Sequence, residues 1–292
     1  MNNIETENFS ASRSKTESGL VRIAQAQMPV TTDRSACLSY LEASAEKASS
    51  QRADFLLLPE MFCCPYNTAF FPEYAEEEGG PMWTACAELA RKYHLYFSAG
   101  TMPERDIQGR IYNTAYIFDP AGRQIAKHRK MHLFDIQVQG GQHFRESDVL
   151  SPGNSVTVFD TAFGVFGLAV CFDIRFPELF RLMALKGALA VLVPAAFNMT
   201  TGPMHWELLF RSQALNNQLF TAGTAPARNA DASYVSWGHS IVAGPWGNVI
   251  SQMDAGEDFQ ITEIDLRETR KAREQIPALS GRRTDVYTLT ER

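Results

Sequence analysis

GVFGLAVCFDIRFPELFRLMALKG, residues 164–187, decides how the chain is read. The apolar run Val165–Val170 looks like a buried strand that ends on Cys171, where Asp173 and Arg175 break the run. Phe176, Leu179, Phe180 and Met183 then recur at helical spacing behind Pro177, a residue tolerated in a first turn, and Gly187 stands where a helix commonly stops. A second apolar run, Ala188–Val193, follows. Strand, helix and strand within about 30 residues make a βαβ unit. The expected class is therefore α/β, with Cys171 at a strand-to-helix corner, where open α/β sheets carry their sites. Taken alone, Cys171 would be a small buried hydrophobe, as free cysteines usually are.

Two other stretches change that reading. Phe55–Glu60 (FLLLPE) and His128–Asp135 (HRKMHLFD) each place a charged residue near the end of an expected strand. A thiol of ordinary pKa, near 8.5, is mostly protonated at neutral pH, so a nucleophilic cysteine needs a base or a neighbouring cation. Glu60 can be the base and Lys130 the cation. Lysine also supplies a donor for the oxygen of an attacked carbonyl, and backbone N–H groups just after Cys171 can add to it. Separately, Glu60 reads as a surface carboxylate and Lys130 as part of a solvated basic run; only their coincidence with Cys171 points to an amide-cleaving thiol enzyme without histidine.

Composition bounds the alternatives. The 292 residues are 45% hydrophobic and 21% charged, as in an ordinary globular protein, and the net charge of -6 offers no footing for nucleic acid. No apolar run approaches the roughly 20 residues that cross a bilayer, and no secretory signal is recognisable, so a cytoplasmic protein without membrane contact is expected. The five cysteines, Cys37, Cys63, Cys64, Cys86 and Cys171, lack C-x-x-C spacing, which argues against a disulfide framework or a zinc knuckle. Cys63 and Cys64 are a rival nucleophile pair, better read as loop residues. His132 and His239 lack a spaced set of further ligands, so no metal is expected, and no nucleotide or flavin is implied.

Residues 1–19, polar and almost without apolar content, read as a mobile tail, and 20–292 as a single domain without a linker. Strands are expected at Arg22–Gln27, Phe55–Leu58, Leu95–Thr101, Leu219–Thr224 and Phe259–Ile264. Hairpins are expected at Tyr112–His128 and Ser240–Met253. Leu38, Leu41, Ala45 and Ala48 trace one helical face; Trp83–Tyr93, His205–Asn216 and the charged Leu266–Gln275 make further helices. The stretch from Gln139 to Asn154, holding His143, Arg145 and Glu146, reads as irregular. Residues 62–80 read as a long loop beside the site, a candidate lid. The tail beyond Ile276 has too little periodicity to fold alone and is a candidate for packing on a partner subunit.

LLLPEMF around Glu60, KHRKMHLFD around Lys130 and LAVCFDIRFPEL around Cys171 resemble, in the right order, the three signature blocks of the nitrilase (carbon-nitrogen hydrolase) superfamily. The resemblance covers residues 20–289. It implies a four-layer α-β-β-α sandwich with mixed sheets, assembled as a homodimer or higher oligomer. It also implies that Cys171 is the nucleophile, Glu60 the general base and Lys130 the group stabilising the tetrahedral intermediate, with Glu146 as the family's second glutamate. Phe172-Asp173 after the nucleophile, where true nitrilases tend to have Trp-Glu, favours the amidases. FFPEYAE, FRESDVLSPG, AFNMTTGPMHWELL and PARNADASYVSWGHS resemble the omega-amidase branch. That likeness implies hydrolysis of alpha-ketoglutaramate and alpha-ketosuccinamate without a cofactor; N-carbamoyl amino acids, deaminated glutathione or a silent scaffold of the same fold are the alternatives. A carboxylate-bearing amide needs a cation in its pocket. Arg175 fills that role or braces the loop in an ion pair. Tyr66, Phe172, Phe197, Asn198, Met199 and Thr200 are candidate pocket residues.

Overall fold

The computed structural model describes residues 19–139 and 143–292. The expected mobile tail, up to residue 18, and the Gly140-Gly141 pair lie outside the described residues.

In chain order the strands are β1 (Leu20–Gln27), β2 (Phe55–Leu57), β3 (Tyr96–Ser98), β4 (Met102–Arg105), β5 (Ile111–Phe118), β6 (Gln124–Arg129), β7 (Asp135–Gln137), β8 (His143–Arg145), β9 (Thr157–Thr161), β10 (Gly164–Leu168), β11 (Ala190–Pro194), β12 (Phe220–Thr224), β13 (Ile241–Ala243), β14 (Val249–Gln252) and β15 (Asp258–Asp265). The α-helices are α1 (Arg34–Ser50), α2 (Phe71–Tyr74), α3 (Pro81–Tyr93), α4 (Pro177–Leu185), α5 (Gly202–Asn217) and α6 (Arg267–Gln275). One sheet runs β15-β1-β2-β3-β5-β4, with β6 also paired to β5; the other runs β14-β13-β12-β11-β10-β9. Each has a parallel centre, β1-β2-β3 and β10-β11-β12, flanked by antiparallel strands. The centres are parallel because helical crossovers join their strands.

Alternation along the strands builds the layers. On β2, Phe55 and Leu57 point to the other sheet, where the Phe55 ring stacks on Phe166 with centroids 5.0 Å apart. Leu56 and Leu58 point the opposite way, into a cluster with Leu41, Ala45 and Ala48 of α1 and Cys86, Leu89 and Ala90 of α3. On the far side α4 and α5 cover the second sheet through Phe180, Met183, Trp206 and Phe210. The result is the four-layer α-β-β-α sandwich. Between the sheets Gln25 of β1 donates to the Gly223 carbonyl at 2.8 Å and to Thr224 Oγ1 at 3.1 Å on β12, which leaves the donors of this buried amide satisfied.

Several local expectations change. Leu38 does not share the buried face of α1; it is 39% exposed, and Cys37 takes the inward position. The strand expected over Leu95–Thr101 shortens to β3 because Gly100 turns the chain at φ +44°. β4 beyond it, the β7-β8 hairpin inside the stretch read as irregular, and β9 were not expected. These strands are only three to five residues long and each is held by pairing with the strand next to it in sequence, so local periodicity carries little of them. The segment after Ile276 has no regular element; Val286 and Tyr287 are exposed, while Glu291 accepts from the Val156 amide at 3.0 Å and pairs with Lys186.

Candidate active site

Glu60 follows β2, Lys130 follows β6, Cys171 follows β10 and Ala196 follows β11, so the groups gather where parallel strands and one hairpin end. Two glycines allow the close packing that fixes the first two. A Cβ on Gly100 would sit 2.0 Å from the Pro59 carbonyl oxygen, and one on Gly153 2.0 Å from that of Arg129. Through the first approach Thr101 binds both sides of Glu60, its amide donating to the Pro59 carbonyl at 3.2 Å and its hydroxyl accepting from the Met61 amide at 2.8 Å. Through the second, the Gly153 amide donates to the Lys130 carbonyl at 2.8 Å.

Glu60, Lys130 and Glu146 are fully buried and in direct contact. Lys130 Nζ lies 2.9 Å from Glu60 Oε1, and 3.0 Å and 2.9 Å from the two oxygens of Glu146. Tyr66 donates its hydroxyl hydrogen to Glu146 Oε1 at 2.7 Å, with Glu60 Oε1 3.3 Å away. Glu146 Oε2 also accepts from the Phe134 amide at 2.7 Å, which holds this carboxylate against the lysine segment. Burial alone would drive the Lys130 ammonium down, yet Glu146 and Glu60 more than reverse this and hold it charged. Such a triad survives burial only because each charge is paired and hydrogen-bonded.

Cys171 is 4% exposed and adopts φ +45°, the left-handed region that a non-glycine residue enters at a cost of about 1–2 kcal/mol. Burial pushes its thiol well above the ordinary value, the Glu60 charge pushes the same way, and Lys130 only partly offsets them. Burial and the neighbouring Glu60, to which the thiol is hydrogen-bonded, both favour the neutral form of Cys171. Burial raises Glu60 as well, with Lys130 opposing and Glu146 reinforcing the shift, which increases its hold on a proton. Its Oε1 accepts from Lys130 at 2.9 Å and Asn113 Nδ2 at 2.8 Å, and its Oε2 from the Ala196 amide at 2.9 Å.

Residues 20–274 match the family model described as carbon-nitrogen hydrolase. The chain belongs to the carbon-nitrogen hydrolase family. Over 266 residues it is 44% identical to the omega-amidase NIT2 of Bos taurus, covering 91% of this chain and 96% of that protein. The human omega-amidase NIT2 is 42% identical over 268 residues, 92% of this chain and 97% of its own. Among solved structures, Nit3 of Saccharomyces cerevisiae, a member of branch 10 of the nitrilase superfamily, superposes with a TM-score of 0.83 at 38% identity, over 90% of this chain and 97% of that one.

In this hydrolase the remaining candidates divide. Glu60 and Tyr66 line a cavity of about 270 Å³ with Pro65, Phe70, Ala196 and Tyr234. Arg175 lies between the rings of Phe172 and Phe197, its guanidinium carbon 5.4 Å and 5.0 Å from their centroids, and its Nη1 is 3.1 Å from His205 Nδ1. Among the described residues no carboxylate pairs with Arg175, so the bracing ion pair is not formed. Asn198 caps the following turn, its Oδ1 accepting from the Thr200 and Thr201 amides at 3.1 Å and 3.0 Å. Met199 is 42% exposed, and of the expected pocket residues only Tyr66 lines the cavity beside Glu60; Phe172, Arg175, Phe197, Asn198, Met199 and Thr200 do not. Cys63 and Cys64 are buried thiols raised by burial and lie apart from the triad.

Three residues of the site escaped the sequence reading. Asn113 holds Glu60; its signal was a polar pair, Asn113-Thr114, inside the otherwise apolar run Ile111–Phe118, since a buried polar group needs a partner. Asp173, which in the sequence breaks the apolar run and marks the amidases, binds His128, His132 and the Val170 amide. Tyr234, whose ring packs 4.5 Å from Tyr66 and whose hydroxyl donates to the Ala196 carbonyl, had no local signal.

Proposed function

We propose that this hydrolase is a cofactor-free omega-amidase that cleaves the terminal amide of alpha-keto acid amides, alpha-ketoglutaramate and alpha-ketosuccinamate, through a thioester on Cys171. The observation that carries the substrate class is Arg175. It is a cation four residues beyond the nucleophile, its guanidinium over the rings of Phe172 and Phe197, with no counter-charge among the described residues. A substrate carboxylate supplies that charge, in a bidentate pair that a guanidinium makes well. The names of the bovine and human relatives point the same way.

The reaction follows from the geometry. Glu60 Oε2 takes the thiol proton as the sulfur attacks the amide carbon. The developing oxyanion is met by the Lys130 ammonium and by N–H groups following Cys171. Glu60 returns the proton to the nitrogen, the C–N bond breaks and ammonia leaves. Glu60 then takes a proton from water, whose oxygen attacks the thioester carbon, and the thiol leaves reprotonated with the acid released. Glu146, fixed by the Phe134 amide and Tyr66, keeps Lys130 aimed.

A substrate panel tests this: alpha-ketoglutaramate should outpace N-carbamoyl amino acids, deaminated glutathione and nitriles in kcat/KM, and rapid-quench mass spectrometry should find an acyl adduct on Cys171. An active Cys171→Ala protein defeats the mechanism, and preference for a carbamoyl compound defeats the substrate class.

We further propose that the protein works as a homodimer in the cytoplasm. Helix α5 carries Met204 (73% exposed), Leu208 (66% exposed) and Leu215 on its outer side, with Trp246 also exposed, a set that a second copy would cover. No helix among the described residues is long and apolar enough to cross a membrane. Sedimentation should give twice the chain mass, and Leu208→Glu should halve it; a monomeric wild type overturns the pairing.

A further inference from the structure

Asp173 is fully buried and its carboxylate is the end-point of four hydrogen bonds from two separate segments. Oδ1 accepts from the His132 amide at 2.9 Å and from His132 Nδ1 at 2.7 Å; Oδ2 accepts from His128 Nε2 at 3.1 Å and from the Val170 amide at 3.0 Å. His128 and His132 stand two residues either side of Lys130. Val170 and Asp173 exchange two bonds across Cys171, since the Asp173 amide donates back to the Val170 carbonyl at 3.0 Å. The nucleophile thus sits inside a loop closed by Asp173, in the left-handed conformation it would not keep unaided.

Among the described residues, every hydrogen bond between residues 127–134 and 170–176 ends on this one carboxylate. Lys130 itself spends its ammonium on Glu60 and Glu146. The His132 ring, stacked 3.5 Å from that of Phe176, supplies an apolar contact across the same seam.

We infer that Asp173 is a positioning residue that locks the Cys171 turn to the Lys130 segment and so sets the distance between sulfur and ammonium during acylation. The inference rests on the thiol-amidase reading above. A displacement of about 1 Å between reacting groups costs on the order of 100-fold in rate. Asp173→Asn keeps the shape but faces an amide NH₂ against the Val170 or His132 donors.

The test compares wild type, Asp173→Asn and His132→Leu by quench-flow acylation rate, steady-state kcat and KM, and thermal melting; leucine removes the Nδ1 donor but keeps an apolar contact with Phe176. Expected for D173N is acylation slowed about 100-fold with KM within about threefold; a general loss of packing would raise KM as well. His132→Leu, at the partly exposed end of the clamp, should slow acylation about tenfold while melting with wild type. If D173N does not fold, H132L alone decides. Wild-type acylation in folded D173N, or in H132L, overturns the inference while leaving the amidase reading intact. A wild type that forms no adduct on Cys171 overturns the amidase reading instead.

Discussion

The side-chain amide of Asn113 donates to Glu60 Oε1 at 2.8 Å from the middle of a strand in the sheet that also carries Glu60. The bond favours the charged carboxylate, so its loss must make Glu60 hold a proton more tightly. Asn113→Ala should therefore move the acid limb of kcat/KM to higher pH and lower kcat about tenfold at neutral pH. A pH–rate profile checks this; a limb that stays in place shows that Asn113 does not tune the base.

Removing Lys130 leaves two buried carboxylates facing each other. Lys130→Ala should abolish turnover and cost about 3–5 kcal/mol of stability at neutral pH, the penalty of an unpaired buried charge. The sign with pH follows from the carboxylates. Burial already raises Glu60, and without the cation the rise is larger, so the variant loses stability as pH climbs above the ordinary glutamate value of 4.5. Melting curves should bring variant and wild type closer together toward pH 5 than at pH 8.

Arg175→Gln should raise KM for alpha-ketoglutaramate by about 10- to 100-fold, the worth of one charge-assisted hydrogen-bonded contact, with little change for a neutral aliphatic amide. Arg175→Lys should recover only part, because a point charge does not reproduce the planar fork. Equal losses on charged and neutral amides would assign Arg175 to the loop rather than to the substrate.

Asp173 makes an opposite pH prediction. Burial pushes its carboxyl up, but His128 and His132 outweigh burial and hold it well below its ordinary value. A depressed acid stabilises the fold above its unfolded value, 3.8, and that contribution drains away as pH falls through the lower folded value. Asp173→Asn should thus be less stable than wild type at pH 7 by about 3 kcal/mol, with the gap narrowing below pH 3.8. Acid-titrated melting measures it; a gap independent of pH removes the ionised carboxylate as its cause.

Glu60 and Cys171 were legible because each ends an apolar run, and a charged or polar residue at the end of a buried strand is visible in one dimension; Lys130, inside the basic run Lys127–Lys130, was legible only through its coincidence with them. The central strands were legible for the same reason, being continuous Val, Leu and Ala stretches such as Ala190–Pro194. What was not legible depends on distant partners. Asn113 becomes a site residue only through Glu60, 53 positions away, and Asp173 only through histidines more than 40 positions earlier. Short strands such as β7 and β8 exist through pairing with each other rather than through any period of their own. Leu38 shows the converse failure: an apolar residue at plausible helical spacing that a neighbouring cysteine displaced from the inner face.

The burial that favours the neutral thiol of Cys171 has a consequence for survival of the protein under oxidants. Peroxide attacks thiolates, and its damage follows thiolate character and access. A sulfur that surrenders its proton only as a carbonyl arrives offers peroxide little to attack between turnovers. Cys37, Cys64 and Cys86, whose thiols burial pushes well above their ordinary value, are similarly poor targets.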